Sequence, residues 1–148
     1  VKPASNKMEN CVIKIERIPS KESAQIQEYR LMYNGAYAAY LEVVQFDGYV
    51  AIHGVSTFDN YRRKGIMRRL LRHVRMWEQQ QMRLLVYPDN APAIALYRSL
   101  GMRFTTNRVL LAKLQSLKAT NPIYDGPLEE DLPEMVWPKP RTRKEITA

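Results

Sequence analysis

Between Cys11 and Ser56 apolar and polar side chains alternate with the period of two that a half-buried strand requires. Four such runs predict four strands: Cys11–Ile18 (CVIKIERI), Gln25–Tyr33 (QIQEYRLMY), Ala36–Gln45 and Tyr49–Ser56 (YVAIHGVS). Residues 19–24 (PSKESA) read as a connection. Asn34-Gly35 joins the second run to the third as a tight hairpin, because both residues tolerate the positive φ such a turn demands. Phe46-Asp47-Gly48 makes the next turn, so the first third of the chain predicts an antiparallel meander.

The period changes after Thr57. Ile66, Leu70, Val74 and Trp77 recur at spacings of four, four and three, widened by Met67 and Leu71. This predicts an amphipathic helix of about four turns, with Asp59 and Asn60 as caps near its start and the polar Glu78–Gln81 run at its end. Arg83–Tyr87 (RLLVY) reads as a short buried strand. Asn90 can cap a second helix that tolerates Pro92 in its first turn, buries Ala93, Leu96, Tyr97 and Leu100, and stops at Gly101. Residues 103–114 read as one or two more strands, RVLLAKL being the clear one. Trp77, Met67, Met76 and Met82 are expected in or beside the core, His73 on the surface, and Cys11 as an inert strand residue.

The 148 residues, 45% of them hydrophobic, suffice for one core without a staple. A single cysteine excludes an intramolecular disulfide, and one Cys with two distant His falls short of an ordinary zinc or iron–sulfur site, so no metal is expected. No apolar run approaches the roughly 18 residues of a membrane span, and residues 1–10 are polar with no signal-peptide core. A flexible N-terminus (1–10) and a soluble, cytoplasmic protein with no membrane partner are expected. From Ala119 onward the chain holds five of its nine prolines. Lacking periodicity, residues 116–148 read as a Pro-rich charged C-terminal extension, an extended arm or disordered segment that Ile123, Tyr124, Leu128, Met135 and Trp137 could dock.

Charge sharpens the picture. The last thirty residues carry four bases and six acids, so of the net +8 the body holds about +10. Seven bases fall between Arg62 and Arg75, which suggests an anionic partner: nucleic acid, a nucleotide cofactor or a phosphorylated small molecule. They sit where the fourth strand runs through TFDNYRRKGIM into the first helix. A glycine there lets a phosphate approach, and the helix start supplies N–H donors and a favourable dipole. The triphosphate loop needs Gly-Lys-Ser/Thr, whereas Lys64 precedes Gly65 here with no hydroxyl after it; the dinucleotide fingerprint needs three glycines where this loop has one. An Arg-rich, single-glycine pyrophosphate loop remains.

That loop resembles the first signature of the GNAT superfamily of acyl-CoA-dependent N-acyltransferases, Arg/Gln-x-x-Gly-x-Gly/Ala, here Arg62-Arg63-Lys64-Gly65-Ile66-Met67 with Tyr61 before it and Leu70-Leu71 after. The run Asn90-Ala91-Pro92-Ala93-Ile94-Ala95-Leu96-Tyr97-Arg98-Ser99-Leu100-Gly101-Met102-Arg103-Phe104 resembles the second, Asn-x-x-Ala-x-x-Leu-Tyr-x-x-x-Gly-Phe. The likeness covers about residues 11–115. It implies an α/β (α+β) fold, a mixed, mostly antiparallel sheet flanked by helices, with a central parallel strand pair splayed around the CoA site. It also implies an acetyl-CoA-dependent N-acetyltransferase. The amides of residues 62–67 would then hold the pyrophosphate, with Arg63, Lys64 or Arg68 adding charge. Val55, Ser56 and Thr57 would pair with the pantetheine arm, one of their N–H groups stabilising the thioester oxyanion. Asn90 would contact that arm, and the Tyr97 hydroxyl would protonate the departing thiolate.

The chemistry asks for the same parts. An amine attacks only when unprotonated, and lysine titrates near ~10.4, so the enzyme must remove one proton and return one to sulfur. His53, alternating with Ala51 and Val55 on one strand face, is the candidate base, with Glu42 on the neighbouring strand a weaker one. The chain departs from the family at Met67, which replaces a small residue, and at residues 19–24, which replace two helices that usually cover the acceptor site. The acceptor side is therefore expected open, completed by a second subunit in a homodimer, or covered by the tail. The expected partners are acetyl-CoA and an amine of a protein, nucleic acid or small molecule. The alternatives are a catalytically degenerate CoA-binding module and a nucleic-acid-binding module using the Arg62–Arg75 stripe.

Overall fold

A computed structural model describes residues 11–21, 23–120 and 132–141. The expected flexible N-terminus and the docking residues Ile123, Tyr124 and Leu128 lie outside the described residues. The meander forms as its periodicity requires: β1 (Ile13–Pro19), β2 (Ile26–Tyr33), β3 (Ala36–Phe46) and β4 (Tyr49–Thr57), each antiparallel to the next. A short 3-10 turn (Asp59–Tyr61) leads to α1 (Ile66–Glu78), β5 (Gln81–Leu85) and α2 (Ala91–Leu100). Then come β6 (Arg103–Phe104), α3 (Leu110–Thr120) and β7 (Glu134–Trp137). The seven strands lie in the order β1-β2-β3-β4-β5-β7-β6, with β4 and β5 the single parallel pair among the described residues.

The two faces of the sheet bury separate cores. Tyr29, Leu31, Leu41, Val43, Val50 and Ile52 meet Ile66, Leu70, Leu71 and Val74 of α1 and Tyr97 of α2 on one face. On the other, Ile26, Val44, Tyr49 and Ala51 meet Leu110, Leu114 and Leu117 of α3.

Three expectations are corrected. RVLLAKL does not form a strand, because Leu110, Leu114 and Leu117, at helical spacings of four and three, supply α3 with its buried stripe. The start of α3 is capped from outside its own sequence: the Glu134 carboxylate accepts from the N–H groups of Val109 (3.1 Å) and Leu110 (2.9 Å). Second, part of the extension is sheet. Glu134–Trp137 pairs with both β5 and β6, burying Met135 and Trp137, and Arg75 stacks on the Trp137 ring at 4.5 Å. Third, Met76 and Trp77 are 63% and 62% exposed, whereas Met67 and Met82 are buried. The inner line of α1 runs Met67, Leu71, Val74, Glu78, which carries Trp77 to the flank. Glu78 is accommodated inside by Tyr29, by Arg17 at 3.2 Å and by Gln45 at 2.6 Å.

Candidate active site

The cleft begins where β4 and β5 stop pairing. Their register runs only through Tyr49↔Gln81, Val50↔Met82 and Ala51↔Arg83. Two devices then separate them. On β4, two steps along β3, from Tyr40 to Glu42, oppose three, from Ser56 to His53, so the strand carries an extra residue at Gly54–Val55. Gly54 takes φ 64°, which lets the chain bulge and bend. On the other side, the Val86 N–H bonds to Pro133 O at 3.1 Å, so the chain leaving β5 follows the tail segment instead of β4. From Ile52 to Thr57 the edge of β4 therefore faces a gap. The bulge also breaks the expected alternation. Ala51 belongs to the core under α3, whereas Val55 packs on the core under α1 and α2. His53, two residues from Ala51 and ahead of the bulge, shares the α3 face.

At the mouth of the gap stands the start of α1. Gly65 is its N-cap, at φ 71° and ψ 14°, and no side chain caps the helix, so its first-turn N–H groups are open to a ligand. Arg63 also takes a positive φ of 63°, a strained choice for a non-glycine that curls the loop before the helix. A groove of about 710 Å³ runs from this loop to α2, lined by Arg62, Arg63, Gly65, Met67, Arg68 and Tyr97 among others. Arg62 is tied to Thr57 O (3.3 Å) and to Asp59 (3.3 Å), and Arg68 to Ser99 Oγ (2.7 Å). Lys64 does not line the groove: its ammonium lies over the rings of Tyr33 (5.5 Å) and Tyr61 (5.9 Å). Met67 packs into the core, so the large residue at the end of the motif does not fill the loop. Ile66 is buried beside it. Ser56 stands opposite Tyr40 in the sheet and lines neither cavity.

A second cavity of about 270 Å³ passes through the splay to the α3 face, lined by His53, Gly54, Val55, Leu85, Tyr87, Asn90, Tyr97, Leu114 and Leu132 among others. Val55, Asn90 and Tyr97 line both spaces and so mark where the two meet. Asn90 Oδ1 caps α2 by accepting from Ala93 N–H at 3.3 Å, which leaves its NH2 as the group for a ligand. Tyr97 is 6% exposed, and burial pushes its hydroxyl up to about 12. It therefore stays protonated across the neutral range, as a donor must. His53 is half-buried and stands directly across from Glu42 on β3. Pattern reading missed the bulge and Leu132; the lone Gly54 inside a strand was the signal for the former.

A mixed sheet with one splayed parallel pair and an uncapped helix start at its mouth defines the GNAT-type acetyltransferase fold. The chain belongs to the Acetyltransferase (GNAT) family, whose sequence model matches residues 12–102. Among solved structures it is similar to the ribosomal-protein-S18-alanine N-acetyltransferase from Escherichia coli, at 19% identity and TM-score 0.64 over 88% of this chain and 96% of that one. The IAA acetyltransferase from Bacillus cereus matches at 15% identity and TM-score 0.60 over 86% and 99%. A GNAT family acetyltransferase from Elizabethkingia anophelis with acetyl-CoA bound matches at 15% and 0.59 over 84% and 94%. At such identities the likeness is one of fold. No curated protein matches the chain.

Proposed function

We propose that this protein moves an acetyl group from acetyl-CoA to a primary amine by direct attack. The observation that carries the reading is the continuity of the cleft: an uncapped helix start joins, through Val55, Asn90 and Tyr97, to a cavity holding His53. The residues fit an acyl-CoA. Open amides of residues 65–68 and the Arg63 side chain suit a pyrophosphate, and the unpaired edge of β4 suits the amide-bearing arm. Bound there, acetyl-CoA supplies an activated carbonyl on a sulfur leaving group. The β4 backbone N–H groups past Ala51 polarise that carbonyl. His53 takes the proton that the amine nitrogen gives up as it forms its bond to carbon. Tyr97 hydrogen-bonds the sulfur as that bond breaks. Ordinary thiols titrate near ~8.5, so a phenol near 12 stabilises the thiolate as a hydrogen-bond donor more readily than it gives its proton up. In balance, sulfur receives the proton that nitrogen lost.

Among the described residues no helix stands between β1 and β2 to cover the acceptor side, which suits an amine of a protein or nucleic acid as well as a small molecule. Fold does not choose among them: one neighbour is named for an alanine of a ribosomal protein, another for IAA. Calorimetric titration with acetyl-CoA, with ATP as the anionic control, tests the cofactor half. Mass spectrometry of candidate proteins, RNA and polyamines for the gain of one acetyl group tests the rest. No acetyl-CoA binding, or binding no tighter than ATP, would sink the reading.

A second reading has one observation in its favour. Arg69 and Arg72 are exposed on the outer face of α1 and stand in no ion pair among the described residues. A polyanion binding there would weaken steeply with salt, and an Arg69→Gln/Arg72→Gln variant would lose it while keeping acetyl-CoA.

A further inference from the structure

We infer that the outer edge of β1 pairs with the same edge of a second copy of this chain, antiparallel and centred on Ile15, so that two chains share one continuous sheet. The inference does not depend on the acetyl-transfer reading.

The hydrogen bonds to β2 fix which backbone groups point outward. At one end of the pair Asn34 N–H donates to Val12 O (2.8 Å) and Val12 N–H to Asn34 Oδ1 (2.8 Å); at the other, Ser20 N–H donates to Ile26 O (3.0 Å). Hydrogen-bonded pairs recur at every second residue of an antiparallel ladder. The register runs without a shift from Ile13↔Tyr33 to Pro19↔Gln27, so Lys14, Glu16 and Ile18 bond to β2. Ile13, Ile15 and Arg17 turn their N–H and C=O groups the other way, where no strand among the described residues meets them. Pro19 has no N–H and ends the run. The far edge of the sheet, β6, is only two residues long, and very short edge strands offer little to pair with. β1 offers seven.

Charge selects the register. Outward-facing residues pair only with outward-facing residues, so a two-fold pairing centres on one residue of the strand. Centring on Lys14, Glu16 or Arg17 sets that charge against its own copy, which repels. Centring on Ile13 sets Lys14 against Val12. Centring on Ile15 sets Lys14 against Glu16 of the second copy, Ile15 against Ile15, and the exposed Val12 against Ile18. Lys14 and Glu16 already meet within one strand at 3.4 Å, so the seam alternates positive and negative charges. A lysine on an edge strand ordinarily discourages pairing; in this register alone, Glu16 answers it.

The helix face adds apolar surface. His73 meets the Tyr29 ring of β2 edge-on at 6.2 Å, and the exposed Trp77 lies one turn further along the same flank of α1. At that end of the helix Glu78 pairs with Arg17 of β1 at 3.2 Å, which puts Trp77 on the β1 side. Ile13 and Ile15 are only partly buried beneath that side. A second copy laid along β1 removes more of them from water. A two-fold pairing uses both free edges and therefore stops at two chains.

Sedimentation equilibrium of the full chain tests this. The parent should show twice the mass of one chain and dissociate on dilution. Lys14→Glu and Glu16→Lys each put like charges across the seam, so either variant alone should sediment as a single chain where the parent is paired. The two side chains are 71% and 43% exposed, and circular dichroism and Tm should stay close to the parent. Mixed in equal amounts, the two variants should return to twice the mass, since one now presents two carboxylates to the other's two ammoniums. Within either chain the two charges remain alike, so recovery on mixing comes only from contact between chains. A parent that stays a single chain at every concentration overturns the inference. So does a pairing that neither variant weakens, or a mixture that restores nothing.

Discussion

Replacing Glu134 by Gln would test how firmly the C-terminal segment belongs to the fold. Glu134 is 1% exposed and serves two elements at once. One carboxylate oxygen caps α3 through the Val109 and Leu110 N–H groups, and the other pairs with Arg83 of β5. Arg83 is itself 8% exposed and donates to Gln81 (2.9 Å) and to Asn107 O (3.1 Å). Gln keeps the shape and one acceptor for the cap, but it removes the charge and turns an NH2 toward the guanidinium. Breaking a buried pair by removing one partner costs about 3–5 kcal/mol. The two remaining acceptors of Arg83, with the Tyr49 ring 5.6 Å away, place the loss near the lower figure. At about 2–4 °C per kcal/mol for a domain of this size, the expected fall in Tm is on the order of 6–12 °C. Urea unfolding should show a lower midpoint with an unchanged slope. Glu134→Ala, which also removes the cap, should lose about 1 kcal/mol more. Arg83→Met combined with Glu134→Leu should recover most of the charge term, because apolar replacement of a whole buried pair is often neutral, and should retain the cap loss. A Glu134→Gln protein within about 0.5 kcal/mol of the parent, the range of an ordinary surface change, would refute the reasoning. It would mean that water reaches Arg83.

Other outcomes follow from the site. Tyr97→Phe should leave folding intact and lower kcat about tenfold or more, at least ~1.4 kcal/mol of barrier, with acetyl-CoA affinity kept; unchanged turnover would remove Tyr97 from the chemistry. Gly65→Ala places a methyl in open space but at φ 71°, a conformation costing other residues about 1–2 kcal/mol, so the protein should fold with reduced stability and bind acetyl-CoA at least about tenfold more weakly. Because burial raises the Tyr97 hydroxyl to about 12 in the folded state against ~10 unfolded, the unfolded chain loses this proton first. Stability is then full below pH ~10 and falls between there and ~12. Tyr97→Phe should flatten part of that decline in urea midpoints measured across the range.

Local pattern was enough for what depends on neighbours in sequence. The period of two, the Asn34-Gly35 turn and the stop at Gly101 place the meander and α2 within a residue or two. Both motif runs fall at the cleft they suggested. Where a distant residue decides, pattern was insufficient. VLLAKL is apolar enough for strand or helix; it becomes α3 because the sheet face offers Ile26, Val44 and Ala51 to one helical stripe and Glu134 offers the cap. Glu134–Trp137 is too short to show a period and becomes a strand only because β5 and β6 leave a slot between them. Trp77 has the right spacing for the core, but Glu78 takes the inner position with partners from three strands, at Arg17, Tyr29 and Gln45. The ammonium of Lys64 lies over the rings of Tyr33 and Tyr61, a contact that its place in the motif does not reveal.

The tail and the cleft are linked by backbone accounting. A strand edge in a protein interior must find partners for its N–H and C=O groups, and β4 loses its neighbour after Ala51. β5 could have continued beside it, but Val86 bonds to Pro133 instead, and Leu132 of the same segment lines the cavity. The C-terminal segment thus takes β5 away from β4 and walls the space that results. The bulge at Gly54–Val55 alone would bend β4, yet the flanking strands could still close on each other past the bulge. Pairing β5 to β7 prevents that closure and leaves the β4 edge past Ala51 without β5 beside it. A chain ending near residue 120 would keep both family motifs and His53 but lose the strand that holds the gap open. The fold that forms the cleft therefore extends beyond residues 12–102, to at least Trp137.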